Sequence, residues 1–157
     1  AKNGDAKYKP LFEMAVNDSS YSVAGEALKG LSKLDAANAY SLAKKYSADA
    51  KGTLGEVVNK IIIDNGTEAD FDFIATRYEE APLSQEKLEM TDQFADYLVK
   101  LNDNTKIKKG IDQIMGFLNK IPSQYRSYVN AAFEGYFNKI SKAKGGEIEA
   151  YIKSVFK

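Results

Sequence analysis

Apolar residues recur along this chain at intervals of three and four positions, the spacing that places them on one face of an α-helix. Nine stretches show the pattern, and short segments rich in Gly, Pro, Asn, Asp and Ser separate them. The stripes include Leu11, Phe12 and Val16; Val23, Ala27, Leu28 and Leu31; Ala39, Leu42 and Ala43; Leu54, Val58, Ile61 and Ile62; Phe71, Ile74 and Tyr78; Leu88, Phe94 and Leu98; Ile107, Ile111 and Ile114; Val129, Phe133, Phe137 and Ile140; and Ile148, Ile152 and Val155. The pattern predicts an all-α fold of about nine helices.

The ends of these helices carry recognisable signals. Pro10 suits a first turn, and Asn65-Gly66, Ala81-Pro82 and Gly145-Gly146 are typical helix ends. Side-chain caps are expected at Asp18 or Ser19, Asp35, Asp49 or Thr53, Ser84, Asn104 or Thr105, and Ser123. The run Ile61-Ile62-Ile63 has the composition of a strand, but its place in the preceding apolar stripe favours a helix.

Short connections predict that consecutive helices pack as antiparallel pairs. A shift of 31 residues aligns similar residues at five positions: Leu11 with Leu42, Asp18 with Asp49, Val23 with Leu54, Ala27 with Val58, and Leu31 with Ile62. We therefore expect a single helical-repeat domain over residues 1–157. Because the sequence starts with Ala1 and not with Met, we expect it to be a fragment of a longer chain.

The formal net charge is zero, but the charge is unevenly distributed. Residues 1–99 carry a net charge of −6 and residues 100–157 one of +6, and the stretch Asp64–Asp96 is the most acidic. A nucleic-acid binder usually presents a basic domain, so we expect no nucleic-acid partner. The asymmetry is either an ordinary solvated surface or an electrostatic docking face for a protein. No apolar run approaches the ~18 residues of a membrane span, and we expect no membrane insertion.

Histidine and cysteine are absent, which removes the preferred ligands of zinc and the commonest general base. The acidic residues Asp64, Glu68, Asp70 and Asp72 do not follow the EF-hand spacing and indicate a polar loop. No lysine is expected inside an apolar stripe, where burial would lower its pKa and make it a nucleophile. Phosphate-binding loops are missing as well. We therefore expect no catalytic residue, metal ligand or cofactor, and no enzymatic activity in this chain by itself.

Three residues at the predicted start of the eighth helix are candidates for contact with a partner. Tyr125, Arg126 and Tyr128 lie in its first turns, where some of them must be exposed. Tyr and Arg are residue types that anchor protein interfaces. The alternative is that Tyr125 and Tyr128 cover the preceding helix and belong to the core.

The segment from Leu11 to Leu31, LFEMAVNDSSYSVAGEALKGL, resembles one HEAT repeat. It has the apolar first helix, the turn residue Asp18, Val23 five residues later, and the pair Ala27-Leu28. The basic residue that usually follows the Val is replaced by Ala24. The resemblance implies helix pairs stacked as a short HEAT-like superhelix.

A wider pattern is similar to the helical C-terminal domain of aminopeptidase N-like zinc metallopeptidases. It is carried by Asp18-Ser-Ser-Tyr-Ser-Val23, by Leu34-Asp35, by Lys108-Lys-Gly-Ile111 and by Ile121-Pro122-Ser-Gln-Tyr125-Arg126. The zinc-binding H-E-x-x-H helix and the Gly-rich substrate motif of that family do not occur here. The resemblance implies a non-catalytic domain that caps the catalytic domain of the same parent chain and restricts substrate access.

Two other functions stay open at this point. The chain could be a free-standing HEAT-like scaffold that binds a protein or peptide on its concave face. It could also be an enzyme that uses carboxylates or tyrosine, although no pair of acids converges in the sequence pattern. Glu79 and Glu80, for example, are adjacent helical positions whose side chains point about 100° apart.

Overall fold

The computed structural model describes residues 6–156, and within that range it contains nine α-helices and no strand. This confirms the all-α prediction and the number of helices. The helices are α1 (Lys9–Ala15), α2 (Tyr21–Leu34), α3 (Ala36–Tyr46), α4 (Gly52–Asn65), α5 (Phe71–Glu80), α6 (Gln85–Lys100), α7 (Asn104–Lys120), α8 (Ser123–Lys144) and α9 (Gly146–Val155). The run Ile61-Ile62-Ile63 lies inside α4, as its spacing predicted.

The chain divides into two compact units, residues 1–65 and residues 66–157. Unit 1 contains α1 to α4, and unit 2 contains α5 to α9. The prediction of one repeat domain over residues 1–157 stays a prediction.

In unit 1 the main packing surface lies between α2 and α4. Leu28 and Leu31 of α2 and Val58 and Ile62 of α4 are buried. Gly25 lets the two helices approach closely, because a Cβ atom at this position would lie 3.1 Å from backbone atoms of Thr53 and Leu54. Apolar burial of this kind is the dominant stabilising contribution to a helical fold.

Polar side chains join α1 to α3 in the same unit. Lys9 pairs with Asp35 at 2.7 Å, and the Asn38 side-chain amide donates to Glu13 at 2.7 Å. Asp35 also caps α3, as predicted, by accepting a hydrogen bond from the backbone N–H of Asn38. The first helices of the two 31-residue copies are thus joined by polar bonds, and the second helices by apolar contact.

In unit 2 the core contains several aromatic rings among its aliphatic side chains. The rings of Tyr78 and Phe94 stack with their centroids 4.4 Å apart, and Phe117 lies 5.5 Å from Phe133. Two buried tyrosines have hydrogen-bond partners for their hydroxyl groups. Tyr97 donates to the Thr67 carbonyl at 2.7 Å, and Tyr78 shares a 2.9 Å bond with Thr91.

The caps of α2 and α7 differ from the predicted ones by one or two residues, and the cap predicted for α8 is not formed. Ser20, and neither Asp18 nor Ser19, caps α2, because its hydroxyl accepts from the Val23 N–H. Asp103 caps α7 through the N–H groups of Thr105 and Lys106. Ser123 does not cap α8, which begins at Ser123 itself and has no side-chain cap. Ser84 caps α6 as predicted.

Candidate functional site

The first half of α8 is a helical segment that lies outside the core of unit 2. The buried residues of α8 are Phe133, Phe137 and Ile140, so residues 123–132 contribute none. Arg126 is the one charged residue in residues 123–132, in a chain of which 28% is charged. A long helix that packs through its C-terminal half therefore has an N-terminal half with one charged residue and mostly exposed side chains.

Tyr125 and Tyr128 are the two aromatic side chains on this segment. Their exposed fractions are 54% and 83%. Being three positions apart, they lie near each other on the helix surface. Within the described part of the chain neither hydroxyl has a hydrogen-bond partner. We name Tyr125 and Tyr128 the tyrosine face. The sequence left open that both tyrosines are buried against the preceding helix, α7. In the structure both are exposed.

Arg126 is held differently from the two tyrosines. Its Nε atom donates to the Ile121 carbonyl at 3.0 Å, and its Nη2 atom donates to the Asn119 carbonyl at 3.0 Å. These carbonyls lie at the C-terminal end of α7, where no further helical N–H groups satisfy them. Arg126 thus fastens the turn between α7 and α8 and orients the tyrosine face. Its side chain is half-buried.

A groove of about 450 Å³ lies beside Arg126, between α7, α8 and the end of α9. Its lining residues are Met115, Leu118, Asn119, Arg126, Asn130, Ser154, Val155 and Phe156. The lining is half apolar and half polar, and Arg126 is its one charged member. General acid–base catalysis needs a proton donor and acceptor near neutral pKa, which this lining does not provide.

Lys87 was missed by the sequence analysis, which expected no lysine in an apolar stripe. That expectation was wrong, because Lys87 is buried in unit 2. Its Nζ atom donates to the carbonyl of Ala81, just after the end of α5, at 2.8 Å. It also donates to the carbonyl of Glu79, in the last turn of α5, at 3.2 Å. It also lies 5.1 Å from the centre of the Tyr78 ring. Burial lowers the pKa of the Lys87 amine, and nearby Lys120 adds to the effect.

The signal for Lys87 was present in the spacing of α6. Lys87, Met90, Thr91 and Phe94 follow the i, i+3, i+4, i+7 pattern, and all four are buried. Two of its ammonium hydrogens bond to carbonyls at the end of α5, so its role is structural. It closes the C-terminal end of a helix with a positive charge, which the helix dipole favours.

The acidic residues around the start of unit 2 serve local structure. Glu68 accepts hydrogen bonds from the N–H groups of Asn102 and Asp103 at 3.1 and 2.6 Å. Asp70 accepts from the backbone N–H and the hydroxyl of Thr67, in a capping box. Asp72 pairs with Lys109 at 3.5 Å. Among the described residues no group of three or more acidic side chains is arranged to hold a metal ion.

None of the helices in the described range has the length and apolar character needed to span a bilayer. No protein-family model matches the chain, and neither curated proteins nor solved structures give a significant match.

Proposed function

We propose that this chain is a non-catalytic helical domain that binds another protein surface through the first half of α8. The observation that carries the proposal is the tyrosine face, which lies on a helical segment with one charged residue and no fully buried side chain. Protein interfaces are depleted of charge at their centre and enriched in Tyr, which offers a large, stiff contact area. Arg126 fixes the turn that precedes the tyrosine face, because it donates hydrogen bonds to the carbonyls of Ile121 and Asn119.

The repeat architecture is a second part of the proposal. The helix α2 begins at Tyr21 and ends at Leu34, and α4 begins at Gly52 and ends at Asn65. Both ends are displaced by 31 residues, the same shift that aligns the two sequence copies. This agreement supports two equivalent helix pairs, α1–α2 and α3–α4. We propose that the pairs are antiparallel and stack as in a HEAT-like superhelix.

The parent protein is the third part, and it rests on sequence resemblance alone. The chain is proposed to be the C-terminal helical domain of an aminopeptidase N-like metallopeptidase. In that setting the tyrosine face contacts the catalytic domain of the same chain, and the helices restrict access of substrates to it. The alternative is a free-standing HEAT-like scaffold whose tyrosine face binds a separate protein or peptide.

The native gene product decides between these two settings. An antibody raised against residues 1–157 would recover it from its source, and its mass, zinc content and aminoacyl-amide hydrolysis would be measured. The aminopeptidase proposal expects a chain several hundred residues longer, with one zinc ion and an H-E-x-x-H sequence. A native start within a few residues of Ala1, with neither zinc nor hydrolysis, would contradict it and favour the scaffold.

A further inference from the structure

The first helix pair of unit 1 exposes apolar side chains, and the residues equivalent to three of them in the second pair are buried or half-buried. Eight large apolar side chains of the described residues are exposed, and five of them lie between residues 8 and 23. They are Tyr8, Leu11, Met14, Tyr21 and Val23. The helix α1 has no buried residue at all. Such a concentration of exposed apolar groups at one end of a domain is typical of a surface that is covered in the complete protein.

The 31-residue equivalence shows what covers the same positions in the second copy. Val23 corresponds to Leu54, and the exposed fraction falls from 46% at Val23 to 5% at Leu54. Leu54 lies at the start of α4, and its backbone runs against Gly25 of α2. Leu11 is 53% exposed, whereas its equivalent Leu42 is half-buried. The second copy differs from the first in having a helix pair before it.

Equivalent positions that are buried in both copies support the comparison. Ala27 and Val58 are both buried, and so are Leu31 and Ile62. Ala27 and Leu31 in the first copy are thus buried without a helix pair before them. Lys45 and Gly52, the equivalents of Met14 and Tyr21, are exposed as well. The difference in exposure is therefore confined to Tyr8, Leu11 and Val23.

We infer that the exposed apolar residues of α1 and the start of α2 dock a further helix pair of the same kind, supplied by the same polypeptide on the N-terminal side of α1. Its second helix would pack on α2 at Val23 through an apolar stripe, as α2 packs on α4. Stacked repeats bury their shared core in this way, and an uncapped end leaves one apolar surface unpaired. This inference rests on the repeat architecture under "Proposed function" and not on the aminopeptidase assignment.

Residues 1–157 contain no cysteine, so a single cysteine introduced there can be followed on its own peptide in both proteins. Leu11→Cys and Val23→Cys would be made separately in residues 1–157 and in the complete native gene product, and the rates of maleimide labelling compared. Leu83→Cys is the matched control, since Leu83 is an exposed apolar residue in unit 2 at 55%. We expect labelling at both test positions to be about tenfold slower in the native product, while the control is much less affected.

A second measurement needs no substitution. Met14 corresponds to Lys45, which is exposed in the second copy, so peroxide should oxidise Met14 at similar rates in residues 1–157 and in the native product. Equal maleimide labelling at Leu11→Cys and Val23→Cys in the two proteins would overturn the inference. Protection that disappears on dilution would assign the surface to a second copy and would also overturn it. Protection in a native product without an H-E-x-x-H domain would leave this inference standing while the aminopeptidase assignment fails.

Discussion

At the scale of single residues, neighbouring side chains on α8 have different roles. Arg126 donates to two carbonyls at the end of α7, whereas Tyr128 projects into solvent three helix positions beyond Tyr125. The sequence analysis grouped all three as contact residues. The structure keeps the two tyrosines as candidates for direct contact and gives Arg126 a supporting role.

We predict that Arg126→Ala and Tyr128→Ala separate stability from binding. Arg126→Ala should lower the free energy of unfolding by about 1–2 kcal/mol, because two backbone carbonyls lose their donor. Tyr128→Ala should change it by less than about 0.5 kcal/mol, as is usual for exposed positions. Urea unfolding followed by circular dichroism measures both. Equal losses for the two variants would mean that the tyrosine ring belongs to the core of unit 2.

Buried tyrosines in unit 2 predict a loss of stability at alkaline pH. Burial raises the pKa of Tyr78 and of Tyr97, and the carboxylates of Asp70 and Glu68 add to the shift at Tyr97. An unfolded tyrosine ionises near pH ~10, so the unfolded state loses protons that the folded state keeps. The stability that these groups contribute is complete below pH ~10 and is lost as the pH rises further. Lys87 has the opposite effect on stability, because its pKa is lowered in the folded state and the unfolded state therefore keeps its proton to higher pH.

Tyr97→Phe tests that pH dependence. At pH 8 the variant should be less stable by about 1 kcal/mol, because it lacks the hydrogen bond to Thr67. Above pH ~10 the difference should shrink, since the variant has no hydroxyl group to ionise at this position. Urea unfolding at pH 8 and at several values above 10 measures the difference. A constant difference across this range would show that the pKa of Tyr97 is not raised.

At the scale of helices, the glycines of α2 and α8 have opposite packing environments. A Cβ atom at Gly25 would lie 3.1 Å from the α4 backbone, which cannot move aside as a flexible side chain can. A Cβ atom at Gly135 would meet nothing within 4 Å. The same substitution should therefore have opposite effects at the two positions.

We predict that Gly25→Ala destabilises the protein and Gly135→Ala stabilises it. Crowding between α2 and α4 should cost about 1–3 kcal/mol, more than the gain in helix propensity. Gly135→Ala should gain up to about 1 kcal/mol from propensity alone. Thermal unfolding of both variants beside the unmodified protein measures this. A gain at Gly25 would show that α2 and α4 are less closely packed than described.

The helices were predictable because their ends are marked locally. Ala81-Pro82 and Gly145-Gly146 end helices whatever surrounds them, and the φ angles of Gly145 and Gly146 are positive, at 60° and 45°. The cap of α2 was harder, since Asp18, Ser19 and Ser20 are all good capping residues. Lys87 was misjudged because its partners, the carbonyls of Glu79 in α5 and of Ala81 just after α5, come close to its side chain only in the folded chain.

The candidate site was predictable only in part. Tyr125 and Tyr128 were placed in the first turns of α8, where some side chains must be exposed, and burial of both against the preceding helix stayed open as the alternative. The bonds between Arg126 and the end of α7 depend on how the turn at Pro122 folds back, which no local pattern specifies. The contrast in exposure between Val23 and Leu54 likewise arises from packing between copies and needs coordinates to be seen.

At the scale of the whole molecule, we predict that residues 1–157 bind no stoichiometric zinc and hydrolyse no aminoacyl amide. The sequence contains no His, no Cys and no H-E-x-x-H motif, so the ligands that zinc prefers are absent from it. Metal analysis and a chromogenic aminopeptidase assay on the purified chain measure both properties. One tightly bound zinc ion per chain, or turnover that survives repurification, would show that the chain is catalytic after all.

The central claim is that the tyrosine face contacts another protein surface, and that this surface is the catalytic domain of an aminopeptidase N-like parent. The most direct measurement places a photo-crosslinking amino acid at position 128 of the native gene product and maps the crosslinked peptides by mass spectrometry. The same substitution at Leu83, also exposed, is the control. We expect crosslinks from position 128 into a domain that contains H-E-x-x-H, and none from position 83. Crosslinks from position 128 that stay within residues 1–157, or that match those of the control, would contradict the account.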